Sequence, residues 1–192
     1  RGVRLGLALL VAEYTRAATP SAPPPATLPT SAPLAIPAKF AAIADRDARA
    51  IALFTEAGKV LQHPRCLNCH PADDRPRQRD GEAHEPPVVR GAGDRGAPAL
   101  ECSSCHQTQN APLARVPGAP GWRLAPRSMA WRGHTLGELC LQLKDPGQNG
   151  GRSLAQIVEH SAHDPLVGWG WSPGADREPA PVARGRGERR HR

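Results

Sequence analysis

The decisive stretch is HPRCLNCH, residues 63–70, in which Cys66 and Cys69 stand three positions apart and His70 follows at once. The arrangement returns 36 residues later as Cys102-Ser103-Ser104-Cys105-His106. One C-x-x-C can be a redox pair or half of a zinc site. Two copies, each closed by a histidine, need a single explanation. Two thiols at this spacing reach the two vinyl groups along one side of a porphyrin. The next residue is then carried beneath the ring, where an imidazole can bind iron. C-x-x-C-H is the attachment signature of c-type haem. The sequence therefore predicts two covalently bound haem c groups. Cys66, Cys69 and His70 hold the first; Cys102, Cys105 and His106 hold the second. His70 and His106 are the proximal iron ligands.

The rival chemistries explain less. A structural zinc site would use all four cysteines, but 32 residues separate the pairs, against about 15 to 20 in the common zinc spacing. Zinc also gives no reason for a histidine after each pair. A thioredoxin-like dithiol explains one C-x-x-C and needs a βαβ context that the sequence lacks.

Composition fits a cofactor-filled centre. The 192 residues include 22 Pro and 19 Gly but only four Trp, two Phe and one Tyr. That is a thin supply of large apolar side chains for one domain, and two porphyrins would replace them. The net charge of +7 does not point to nucleic acid. The last nine residues hold five Arg against one Glu, a net +4 of that total, and a short basic tail is ordinarily a solvated end. Two haems would bring four propionates to offset the rest. No surface of aromatic and basic residues accompanies the charge.

The chain divides into four parts. Residues 1–18 have a charged start (Arg1, Arg4) and an apolar run from Leu5 to Ala12, as in a signal peptide or N-terminal anchor. The run is too short to span a bilayer. Covalent haem attachment in bacteria takes place outside the cytoplasm, so an exported, periplasmic protein is expected. Any membrane association would come through that N-terminal segment. Residues 19–37 are a Pro-rich linker of polyproline character. Residues 38–175 are the expected dihaem cytochrome c-like domain, mainly α, with few helices and long irregular loops wrapping the haems. Residues 176–192 form a basic tail expected to be disordered.

Three helices are expected. Phe40, Ile43, Ala44, Ile51, Phe54, Gly58 and Leu61 share one stripe, with Asp45 and Arg49 paired on the polar side and Pro64 closing the helix before the first motif. Thr135 and Glu138 form a capping box before Leu136, Leu139, Cys140 and Leu143. Ser153 and Gln156 form a second, with Leu154, Ile157 and Val158 inward and an end before Pro165. From Pro71 to Pro126 no periodicity is visible. Cys140 is left unpaired by the motifs and reads as a buried small hydrophobe.

The sixth iron position decides the chemistry. Histidine or methionine there gives an electron carrier; an open position would suit peroxide or gases. Met129, His84 and His160 are the leading distal candidates, and His63, His134 and His163 the weaker ones. Arg65, Arg75 and Arg90 are candidates to pair with propionates.

The stretches HPRCLNCHP, PPVVRG, CSSCHQ, VPGAPGWRLAPRSMAW, KDPGQNGGRSLAQIVEH and DPLVGWGWSPGADREPAP together resemble a family of small bacterial dihaem c-type proteins labelled isoquinoline 1-oxidoreductase subunits. The likeness spans residues 38 to 181. It implies a redox partner protein, a molybdenum hydroxylase acting on N-heterocycles or aldehydes. This chain would then take the electrons and perform no substrate chemistry. Family members continue after REPAP with a further helix, whereas this chain gives VARGRGERRHR, as a frameshift or replaced C-terminus would. The readings from other classes are a small dihaem peroxidase and a zinc-stapled binding module.

Overall fold

Asp45 opens the first long helix: its carboxylate accepts a hydrogen bond from the Ala48 amide at 2.7 Å, and the helix runs over Arg46–Leu61 (α1). In this computed structural model residues 32–183 are described. The signal-like start, most of the Pro-rich linker and most of the Arg-rich tail lie outside them. The helix is shorter than its apolar stripe suggests. Phe40 ends a 3-10 turn over Pro37–Phe40, and Ile43 precedes the cap. Ile51 points to solvent, 69% exposed. Asp45 is used as a cap rather than as a partner for Arg49, which donates instead to the Ile43 carbonyl at 3.1 Å.

Pro64 begins a helical turn instead of only closing one. His63 caps it, its Nδ1 accepting from the Arg65 amide at 3.2 Å, and the turn Pro64–Leu67 (α2) carries Cys66. Proline at the first helical position gives up an amide that had no partner there. The first motif thus starts inside a helical turn and leaves it at Asn68.

The stretch without periodicity contains two small antiparallel hairpins. Arg77–Gln78 (β1) pairs with Glu82–Ala83 (β2), and Gly96–Ala97 (β3) with Leu100–Glu101 (β4). Such two-residue strands are too short to register as a period-2 pattern. They are held by hydrogen bonds to the motifs themselves: Arg77 N donates to Asn68 O at 3.2 Å and Cys102 N to Arg95 O at 2.7 Å.

Both capping boxes are present. Thr135 and Glu138 start Leu136–Lys144 (α3), and Ser153 and Gln156 start Leu154–His163 (α4). The inward face of α3 is as expected, with Leu139 fully buried. That of α4 is not: Leu154 is 57% and Val158 69% exposed. A further helix, Pro165–Trp171 (α5), follows after the single extended residue Asp164. Asp164 caps it, accepting from the Leu166 amide at 2.8 Å, and Pro165 takes the first position.

The result is helix-rich, with five α-helices and four minimal strands among the described residues. The central cluster is small: Leu67, Met129, Trp131 and Leu139, with Leu61, Cys66, Ala125, Leu136 and Leu143 packed against it. Gly58 lets α1 approach α3, since a Cβ there would lie 2.5 Å from Leu136 Cδ2. The packed region reaches past the expected 38–175. Leu34 N donates to Val182 O at 3.1 Å, and Ala180 is buried with its amide on Gly170 O at 2.9 Å. No helix among the described residues is long and apolar enough to cross a membrane.

Leu139→Ala should cost about 3 kcal/mol, since it removes a fully buried side chain from this small cluster. Thr135→Ala should cost about 1 kcal/mol by removing a cap. Denaturant unfolding followed by far-UV circular dichroism should give the two losses in that order.

Candidate functional site

The two motif histidines are held in the same way. His70 Nδ1 lies 2.6 Å from the Met129 carbonyl and His106 Nδ1 lies 2.8 Å from the Pro117 carbonyl. A carbonyl can only accept, so each Nδ1 carries the proton and each Nε2 keeps a free lone pair. Burial holds both imidazoles neutral: it lowers the His70 pKa to about 4, with His160 near enough to add, and lowers that of His106, with His84 adding. A neutral imidazole with Nδ1 anchored and Nε2 presented is what a metal requires of histidine.

Each ring also lies flat on a tryptophan. His70 stacks on Trp131 at 3.5 Å between centroids and 12° between planes, and His106 on Trp122 at 4.5 Å and 6°. Trp122 in turn meets Trp169 edge-on at 5.1 Å. One segment, residues 117–131, supplies both acceptor carbonyls and both stacking rings.

That segment ties the motifs together. Ala125 N donates to Cys69 O at 2.9 Å, and Leu124 N donates to Asp94 O at 2.9 Å, next to the Arg95 whose carbonyl takes Cys102 N. Arg90 locks the joint. It is buried, and its guanidinium reaches Asp74, Asp94 and the Ala125 carbonyl. Arg90 is thus neither a solvated loop arginine nor available to a propionate, the two readings its sequence allowed. Asp74 also accepts from Arg127.

The cysteines are half-buried, apart from the exposed Cys105, and all five are free thiols. Burial pushes Cys66 up to about 12 and Cys69 up to about 11, with Cys102 close enough to raise Cys69 further. A redox-active C-x-x-C needs the opposite shift. Among the described residues no three His, Cys, Asp or Glu side chains converge as a bare metal ion would need.

The distal candidates part company. The Met129 side chain is buried in the central cluster, and its carbonyl sits on the Nδ1 side of His70. His160 is half-buried on α4, with Nδ1 3.2 Å from Asp164 Oδ2. His84 follows β2 and comes within 5.9 Å of His106, ring centre to ring centre. His63 is a buried helix cap, while His134 and His163 meet neither motif histidine in a ring contact.

Several polar atoms around the first motif are buried with no partner: Asn68 Oδ1, Trp131 Nε1, Arg77 Nε and Arg132 Nε. The last three are donors. Arg132 is bound through its backbone to the His70 carbonyl, and Arg77 through its backbone to Asn68. Burial lowers the Arg132 pKa, and the neighbouring Arg77 lowers it further. Arg77 already pairs through Nη2 with Asp73 at 2.6 Å, whereas the Arg132 side chain makes only a 3.5 Å contact with the Gly81 carbonyl, so Arg132 has the donors that suit a carboxylate of a bound group. The residues present thus fit an anionic porphyrin, with Arg132 rather than Arg90 free to meet a carboxylate. Of the other two candidates, Arg65 donates to the Glu178 carbonyl at 2.8 Å and Arg75 is exposed. Arg77 and Arg132 have no motif that singles them out in the sequence. No protein-family model, curated protein or solved structure matches the chain.

Arg127 holds the Asp74 carboxyl below its ordinary value, helped by Arg90. A carboxylate with a lowered folded pKa stabilises the fold above its unfolded pKa, about 4. That contribution disappears as pH falls through the lower folded value. Asp74→Asn should therefore lower stability at neutral pH and flatten the acid limb of the stability–pH curve. Denaturant midpoints measured from pH 7 down to pH 3 check this.

Proposed function

We propose that the chain is a dihaem c-type cytochrome that carries electrons and performs no substrate chemistry. The observation that carries this reading is the pair of C-x-x-C-H histidines, each neutral, with Nδ1 hydrogen-bonded to a backbone carbonyl and Nε2 free. Chance placement of a histidine after a cysteine pair does not account for the same anchoring twice. The half-buried setting of Cys66, Cys69 and Cys102 supports it too. A thiol there adds across a vinyl group, its sulfur bonding one carbon and its hydrogen passing to the other, with no leaving group. Bound haem would supply reversible one-electron chemistry. His70 and His106 would hold the irons, Trp131 and Trp122 would fix the ring orientations, and Arg132 would receive a propionate at the first site.

The partner follows from the resemblance described above. A molybdenum hydroxylase of the isoquinoline 1-oxidoreductase or aldehyde dehydrogenase type would deliver electrons to this chain, which passes them on. The periplasm is the compartment this chemistry needs, because thioether attachment occurs there.

The test is an optical spectrum and pyridine haemochrome assay on protein matured in a host with c-type attachment machinery. Two covalent haems per chain are expected. Replacing Cys66 and Cys69 by alanine should leave one, and replacing Cys102 and Cys105 should leave the other. A colourless protein containing one zinc would overturn the reading.

A further inference from the structure

The β1–β2 hairpin is fastened to one motif and delivers a side chain to the other. Arg77 N donates to Asn68 O at 3.2 Å, and Asn68 Nδ2 donates to the Arg79 carbonyl at 2.8 Å. Both contacts fix the hairpin to Asn68, one of the two residues between the cysteines of the first motif. His84 stands directly after β2, half-buried. Its ring lies 5.9 Å from that of His106, the histidine of the second motif, with 61° between the planes.

This is not a stacking contact; the ring stacked on His106 is Trp122. His84 Nδ1 is 2.9 Å from the Pro86 carbonyl, as His106 Nδ1 is 2.8 Å from the Pro117 carbonyl. In both rings the proton therefore sits on Nδ1 and the free lone pair on Nε2. Two imidazoles on opposite sides of one metal, each bonded at about 2 Å, have ring centres about 6 Å apart. Rotation about that axis is free, so 61° is an allowed angle. A cleft of about 240 Å³ is lined by His106, Trp122 and Arg95, and another of about 120 Å³ by His84, Arg75 and Arg77. The pair thus has open space beside each ring and arginines on both sides.

We propose that His84 is the sixth ligand of the iron held by His106, so that the second haem has two axial histidines. The assignment rests on the dihaem reading above and goes beyond it by closing one haem to exogenous ligands. Of the three leading distal candidates, His84 is the one whose ring meets that of His106.

The experiment uses the full chain matured with haem, comparing wild type with His84→Ala, His84→Met and His163→Ala. With His84→Ala, two haems per chain remain by pyridine haemochrome, while one changes from six-coordinate low-spin to five-coordinate high-spin. The reduced variant then binds one more carbon monoxide per chain than wild type, and added imidazole restores the low-spin spectrum. His84→Met keeps six-coordination and raises one of the two reduction potentials. His163→Ala changes nothing. If His84→Ala keeps two haems with the spin state and carbon monoxide stoichiometry of wild type, the assignment is overturned while the dihaem reading stands. If wild type carries no covalent haem, both fall together. Should the alanine variant fail to accumulate, the methionine variant decides: one raised potential supports the ligand, and two unchanged potentials overturn it.

Discussion

The two motif histidines depend on one short stretch of chain. Residues 117–131 give His70 and His106 their acceptor carbonyls and lay Trp131 and Trp122 flat on their rings. A histidine anchored at one nitrogen and stacked on one face has lost most of its freedom before any ligand arrives. Its tautomer is chosen as well, because only a protonated Nδ1 can satisfy a carbonyl. The same stretch bonds to Cys69 and to Asp94, so moving it would disturb both motifs together. The rest of the fold keeps this stretch in place.

Little of that support is apolar. The central cluster has four buried side chains, and the neighbouring work is done by polar groups that bond backbone carbonyls. Gln142 donates to the carbonyls of Ser128 and Ala130, on either side of Met129. Asn149 bonds Leu143 O and Arg152 O and receives the Arg152 amide, which joins α3 to the start of α4. Arg90 joins Asp74, Asp94 and Ala125. Buried polar groups like these are costly when left unpaired, and so they specify one arrangement sharply. Unpaired buried atoms remain on Asn68, Arg77, Trp131, Arg132, His134 and Gln142, and the first four of these residues lie at or beside the first motif.

What could be read in the sequence follows from how local each signal is. The capping boxes at Thr135 and Ser153 need only four adjacent residues, and both are formed. The two C-x-x-C-H units are equally local. The stripe from Phe40 misled because the cap at Asp45 overrides periodicity: a residue whose carboxylate holds the Ala48 amide begins the helix, whatever precedes it. The helix from Pro165 was signalled by Asp-Pro at its start, but a proline beyond a helix reads equally well as an ending. The hairpins, the role of Pro117 as acceptor and the occupation of Arg90 rest on contacts between distant residues, for which one sequence holds no sign. Leu154 and Val158 show the converse: an amphipathic pattern says which face is apolar, not whether anything covers it.

The sharing of parts between the motifs bears on what the arrangement can do. The Cys69 thiol feels Cys102, and Asn68 of the first motif holds the hairpin whose His84 reaches the second. Two cofactors held this way would lie close together on one scaffold. An electron carrier gains from that, because its ligands must keep their positions in both oxidation states and its centres must be near each other. A catalytic haem needs the reverse at one position, a face free of protein and room for a substrate to approach. The cleft beside His106 would give that room only if the neighbouring histidine stood away. With the two rings 5.9 Å apart and each anchored at Nδ1, the proposed ligation by His84 would close that approach. On that proposal the arrangement suits passing electrons better than binding small molecules.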